Sequence, residues 1–109
     1  MNKEADEKEV LLELKNAVMK ICGNKLVKFA LYGSRARGDY DRESDIDIAI
    51  VVRGLTRDIK NKILDAVCDI ELKYLTPLST IVFSEDDFEF LKKRERRIAL
   101  DIEKEGIPL

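Results

Sequence analysis

Histidine and tryptophan are absent from this 109-residue chain, and cysteine and proline occur only twice each. Without histidine there can be no Ser-His-Asp or Cys-His catalytic arrangement and no imidazole ligand for a metal. Cys22 and Cys68 stand far apart in the sequence and form no Cys-x-x-Cys zinc pair. Any catalysis therefore has to rest on carboxylates, hydroxyls, basic groups or a metal bound by oxygen.

The composition also limits the location and partners of the protein. No apolar run approaches the ~18 residues of a membrane helix, and the polar, acidic N-terminus is unlike a secretory signal. The net charge of −2, from 20 basic and 22 acidic residues, argues against a dedicated nucleic-acid binder. With 109 residues, of which 45% are apolar, we expect one domain over residues 1–109. Because the sequence shows neither a membrane helix nor a secretory signal, and has few cysteines, we expect the protein to be cytoplasmic and not bound to a membrane.

The hydrophobic pattern predicts alternating helices and strands. Residues 44–52 are the clearest strand, because Ile46, Ile48 and Ile50 recur at period two. Thr56 can cap a helix, and Ser84 with Asp87 resembles a capping box. The predicted fold class is α/β (α+β), a small mixed sheet of about three strands flanked by helices in the order α-β-β-α-β-α. The strands cover 25–32, 44–52 and 78–83, and the helices cover 10–22, 56–74 and a last segment from Ser84.

The strand directions follow from where the polar residues fall. Gly33-Ser34 follows the end of the first strand, whereas Asp45 and Asp47 open the second. Both pairs can face one site only if these strands are antiparallel. A helix of roughly 18 residues joins the second and third strands, a length that suits a parallel crossover. The start of the third strand should therefore lie near the aspartates.

Asp45 and Asp47 point to a metal site. They are two residues apart on a strand, so their carboxylates project from one face and would repel each other without a cation. A pair of hard oxygen ligands suits Mg²⁺ or Mn²⁺. Two solvated aspartates on an exposed strand face are the alternative, since Asp-x-Asp is a common sequence.

Gly33-Ser34 suggests an anion site beside these aspartates. A glycine after a strand lets a phosphate approach the backbone, and the Ser34 hydroxyl can donate a hydrogen bond. A plain turn explains the pair equally well when it is taken alone. The combination of Gly33-Ser34 with Asp45-x-Asp47 on the neighbouring strand is what favours a phosphate and metal site.

The segment GSRARGDYDRESDIDIAI resembles the minimal nucleotidyltransferases of the superfamily that includes DNA polymerase beta. The resemblance implies that Gly33 and Ser34 hold the phosphates of a nucleotide, that Asp45 and Asp47 are the catalytic metal ligands, and that Arg37 can contact phosphate. It also implies ATP and Mg²⁺ or Mn²⁺, and transfer of AMP to a HEPN-domain toxin encoded nearby, with this chain as the antitoxin. Whether the protein forms homo- or hetero-oligomers stays open.

One position departs from the family pattern. The superfamily usually carries a third carboxylate near the start of the next strand, where this chain has Ser79 and Thr80. No acid lies between Glu71 and Glu85, and Glu71 could substitute only if it faces the site. An antitoxin that binds nucleotide but neutralises its partner by direct contact is therefore an alternative. The basic run 92–97 could contact RNA or an acidic partner surface, but a solvated helix face is the favoured interpretation.

Overall fold

A computed structural model describes residues 7–32, 46–105 and 107–108 of the chain. One turn of 3-10 helix, Gly23–Lys25, joins the first helix to the first strand. The helices are α1 (Glu7–Cys22), α2 (Arg57–Tyr74), α3 (Glu85–Lys93) and α4 (Arg97–Glu105), and the strands are β1 (Leu26–Tyr32), β2 (Ile46–Val52), β3 (Leu78–Ser84) and β4 (Ile107–Pro108).

The strands form one mixed sheet in the order β3-β2-β1-β4. β1 is antiparallel to β2 and to β4, and β2 is parallel to β3. The antiparallel first pair and the parallel crossover through α2 confirm the predicted strand directions. Because β2 lies between β1 and β3, its residues have backbone neighbours on both sides.

The two faces of β2 bury different parts of the core. Ile46, Ile48 and Ile50 point to one face and pack with buried residues of α1 and α2, such as Leu14 and Ile63. Ala49 and Val51 point to the other face and pack with α3 and α4. The predicted period-two pattern is confirmed, but both faces of this strand are largely buried, as the covering helices require.

Local hydrogen bonds fix the ends of α2 and attach it to α1. The Thr56 hydroxyl accepts the backbone N–H of Ile59 at 3.2 Å, which caps the N-terminus as predicted. Near the other end, Lys73 Nζ donates to Glu13 of α1 at 3.1 Å, and the Tyr74 hydroxyl donates to the same carboxylate. Hydrogen bonds from Tyr74 and Lys73 lower the pKa of Glu13.

The C-terminal third differs from the prediction of one last helix. Ser84 Oγ accepts the N–H of Asp87 at 3.0 Å, so the predicted cap is confirmed, but α3 ends at Lys93. A turn at Glu95, whose φ is 56°, leads into α4. The basic run therefore spans a turn and is not one helix face. Glycine normally takes this left-handed conformation, so no stop signal was visible in the sequence.

Within the described ranges, no helix is both long enough and apolar enough to cross a membrane.

Candidate active site

Of the five predicted site residues, Asp47 is the one whose position the structure describes. It is the second residue of β2 and is half-buried. Gly33, Ser34, Arg37 and Asp45 lie outside the described residues, so their roles stay predictions. The site is therefore built from Asp47 and from the neighbours that the sheet places beside it.

Sheet register places three polar side chains in a row across the strands. Asp47 pairs with Tyr32 on β1 and with Ser79 on β3. Directly paired residues project to the same face of a sheet, so the Asp47 carboxylate lies between a phenol and a hydroxyl. The prediction that the start of the third strand lies near the aspartates is confirmed for Asp47.

Burial and the charge of Asp47 together determine the pKa of Tyr32 in this row. Burial raises the pKa of the Tyr32 phenol, and the negative charge of Asp47 raises it further. Tyr32 therefore stays protonated at neutral pH and keeps an O–H donor beside the carboxylate. Tyr32 also packs against the core cluster that includes Ala49 and Val51, and its position directly before Gly33 in the sequence is the signal that it borders the site.

Ser79 occupies the place where a third carboxylate would face Asp47. Glu71, the nearest acid earlier in the chain, lies at the end of α2 and accepts the backbone N–H of Leu78 at 2.7 Å through Oε2. Its carboxylate thus anchors the first residue of β3 at the border of the sheet. Among the described residues, no group of three or more acids and cysteines converges as a metal site.

Comparison with known proteins identifies the family. A family model described as "Nucleotidyltransferase domain" matches residues 11–107, which is most of the chain. The chain is a member of this nucleotidyltransferase family. The resemblance found in the Gly-Ser and Asp-x-Asp motif is thereby confirmed, and so is the predicted fold class.

Two relatives of this nucleotidyltransferase come from Methanocaldococcus jannaschii. "Putative protein adenylyltransferase MJ0141" is 40% identical over 76 residues, which are 69% of this chain and 77% of the relative. "Putative protein adenylyltransferase MJ0604" is 37% identical over 84 residues, 76% of this chain and 79% of the relative. A chain of the crystal structure "toxin-antitoxin with AMP-PNP" has the same fold, with a TM-score of 0.52, 18% identity and coverage of 94% of this chain and 72% of that one.

The described part of the site fits a hard divalent cation. Asp47 supplies a half-buried carboxylate and Ser79 a hydroxyl, and both are oxygen ligands of the kind that Mg²⁺ and Mn²⁺ take. The structure shows no nitrogen or sulfur ligand in this row. A cation held here would share its coordination with water and phosphate oxygens, since the row itself offers few ligands.

Titration of Tyr32 tests whether the negative charge of Asp47 raises the pKa of the phenol. In Asp47→Asn we expect the pKa of Tyr32 to fall, because removing the negative charge makes the phenolate easier to form. The pKa should remain above its ordinary value because burial is unchanged. NMR of ring-labelled tyrosine gives this value, and Asp58→Asn on the exposed surface of α2 is the matched control. An unchanged pKa in Asp47→Asn would place the carboxylate away from Tyr32.

Proposed function

We propose that this nucleotidyltransferase transfers AMP from ATP to a partner protein. The observation that carries the proposal is the position of Asp47, half-buried at the start of the central strand of a nucleotidyltransferase fold. The names of the two Methanocaldococcus relatives support a protein as the acceptor. We expect the activity to reside in one domain and to operate in the cytoplasm.

The proposed roles of the site residues follow from the chemistry of the transfer. Asp45 and Asp47 would hold Mg²⁺ or Mn²⁺, which when bound neutralises charge on the phosphates and steadies the entering and leaving oxygens. Gly33, Ser34 and Arg37 would bind the phosphate groups through N–H, O–H and guanidinium donors. Asp47 is held by two neighbouring strands, so this carboxylate is positioned before the nucleotide binds.

The transfer is a displacement at the α-phosphate. A hydroxyl of the acceptor protein attacks phosphorus, the bond between the α-phosphorus and the bridging oxygen breaks, and pyrophosphate leaves. The acceptor gives up its proton and becomes an AMP ester. Ser79 is a poor base for that proton, so in this proposal another group, such as water or a phosphate oxygen of the nucleotide, accepts it.

The partner that we propose is a HEPN-domain toxin encoded nearby, for which this chain acts as the antitoxin. The proposal rests on the resemblance of the segment from Gly33 to Ile50 to minimal nucleotidyltransferases. The test is intact-mass measurement of the neighbouring gene's product after incubation with this protein, ATP and Mg²⁺. We expect added AMP masses that vanish when EDTA is added. An unmodified mass in a complex that still forms would contradict the transfer.

A second candidate function is neutralisation by binding alone. Two observations favour it, namely that Ser79 faces Asp47 where an acid is usual and that Glu71 is bonded to Leu78. In this case the toxin would be inhibited equally with and without ATP, and Asp47→Asn would inhibit as well as the unaltered protein. Inhibition that requires both ATP and Asp47 would instead support AMP transfer.

Ser79→Asp tests the effect of the missing acid on rate. A carboxylate at this position would face Asp47 and could accept the proton of the attacking hydroxyl. General-base catalysis is worth about 10² or more in rate, so we expect AMP transfer to accelerate roughly tenfold to a hundredfold. Initial rates at saturating Mg²⁺ measure it, with Ser79→Ala as the control. A Ser79→Asp rate no higher than that of Ser79→Ala would contradict a role for an acid here.

A further inference from the structure

We propose that two copies of this chain pair through strand β3 and the adjoining side of α2. β3 forms one border of the described sheet, with β2 on its inner side. The neighbouring side of α2 carries basic groups, Arg57 and Lys60, near its N-terminal end and an acidic group, Glu71, near its C-terminal end. The uncharged strand and the opposite charges at the two ends of the helix side are complementary to a second copy of the same surface.

β3 lacks the devices that normally keep a border strand from pairing. Its seven residues, Leu78–Ser84, include no charged side chain and no proline. Its register with β2 advances without a bulge from Leu78 to Ser84. Border strands in soluble monomers are usually protected by charges, prolines, bulges or a very short length. An uncharged, regularly paired strand of this length can therefore add another strand.

The hydrogen bonds show which backbone groups of β3 face outward. Ile46 N–H donates to Pro77 C=O at 3.4 Å, so Pro77 and every second residue after it face β2. The backbone groups of Leu78, Thr80 and Val82 point away from the sheet. Glu71 accepts the Leu78 N–H, which leaves Thr80 and Val82 with outward groups at the centre of the strand.

The β3 strand of a second copy, paired antiparallel, can form hydrogen bonds with the outward backbone groups of Thr80 and Val82 when the two-fold axis passes through Ile81. Thr80 then lies opposite Val82 of the other copy, and each pair exchanges two backbone hydrogen bonds. Ser79 lies opposite Phe83 of the other copy in the same register. The pairing would therefore extend the row of Tyr32, Asp47 and Ser79 by an aromatic ring.

One side of α2 overhangs this border. The bond from Leu78 to Glu71 shows which side it is; Arg57, Lys60 and Leu64 share it at helical spacing, and Leu75 follows the last residue of the helix. Leu75 is 85% exposed and has a φ of 52°. Leucine is less stable than glycine in this left-handed conformation. Pairing with a second copy would bury this exposed side chain.

The charges on this side of α2 are arranged for self-pairing. Ile81 lies ~10 Å along β3 from Leu78, which corresponds to about six or seven residues of helix back from Glu71. The two-fold axis thus passes close to Leu64, between Lys60 and Glu71. Lys60 of one copy meets Glu71 of the other, twice in the dimer. Lys60 is exposed and forms no ion pair with any residue that the structure describes.

The mass of the protein in solution tests the dimer. Sedimentation equilibrium should give about twice the chain mass of 12.5 kDa. Lys60→Glu places like charges together at both ends of the contact, and we expect the dissociation constant to rise at least tenfold. Lys62→Glu is the matched control, because Lys62 lies on α2 beside Asp58 and away from this side. It should change the dissociation constant less than threefold.

Hydrogen exchange locates the contact independently of any substitution. The amides of Thr80 and Val82 should exchange slowly at concentrations where the dimer forms and quickly on dilution. A protein that stays monomeric, or a dimer that Lys60→Glu does not weaken, would overturn the proposal. So would a dimer in which these two amides exchange as fast as they do in the monomer. Circular dichroism confirms that each variant is folded.

Discussion

Replacing Asp47 with asparagine is expected to lower the rate of the proposed AMP transfer about 10³-fold. Asparagine keeps the shape of the side chain but removes the negative charge that a divalent cation requires. Three powers of ten correspond to about 4 kcal/mol of lost transition-state stabilisation. Asp47 is half-buried at the start of a strand paired on both sides, so no other described acid can move into its place.

The rate measurement needs a control for the loss of a surface charge. Asp69→Asn makes the same chemical change at an exposed position of α2 and should leave the rate within about twofold. Initial rates of AMP incorporation, measured by intact mass at several Mg²⁺ concentrations, separate weaker metal binding from slower chemistry. If Asp47→Asn retained more than a tenth of the rate, Asp47 would not be a catalytic metal ligand.

Replacing Ile50 with alanine is expected to destabilise the fold by about 3–4 kcal/mol. Ile50 is fully buried in the centre of β2, against α1 and α2. Large-to-small substitutions in such a core cost about 2–5 kcal/mol, because the cavity closes only partly. The cavity left by Ile50→Ala cannot close easily, because β2 is held between β1 and β3. A loss of this size is a large fraction of the 5–15 kcal/mol typical of a small domain.

Urea denaturation followed by circular dichroism measures the change. Val27→Ala on β1 is the comparison, since Val27 is 42% exposed and its substitution should cost less than about 1 kcal/mol. Equal slopes against urea concentration in all variants would show that the unfolding transition itself is unchanged. A cost below about 1 kcal/mol for Ile50→Ala would mean that β2 is not packed as the structure has it.

The sequence contained most of the information that positions Asp47. The alternation of isoleucines fixed which face of β2 each residue occupies, and the length of α2 indicated a parallel β3. Both are physical consequences of periodicity and chain reach. The division between α3 and α4 was not predictable in the same way, because Glu95 takes a conformation in which glycine is expected.

The site was less predictable than the fold because it depends on contacts between distant residues. That Ser79 lies opposite Asp47 was one of two possibilities, and the register of β3 decided between Ser79 and Thr80. The bond from Glu71 to Leu78 depends on how the end of α2 meets the sheet, which no local pattern encodes. Gly33, Ser34, Arg37 and Asp45 remain predictions from the motif.

The pairing of β4 with β1 has a consequence for synthesis on the ribosome. Ala30 and Leu31 pair with Pro108 and Ile107, which are made after the other three strands of the sheet. Until then the outer backbone groups of β1 have no strand to bind, and the face that α4 will cover is exposed. The nascent chain therefore passes through a stage in which the outer edge of β1 is unpaired and an apolar face is uncovered, which favours premature association with another chain.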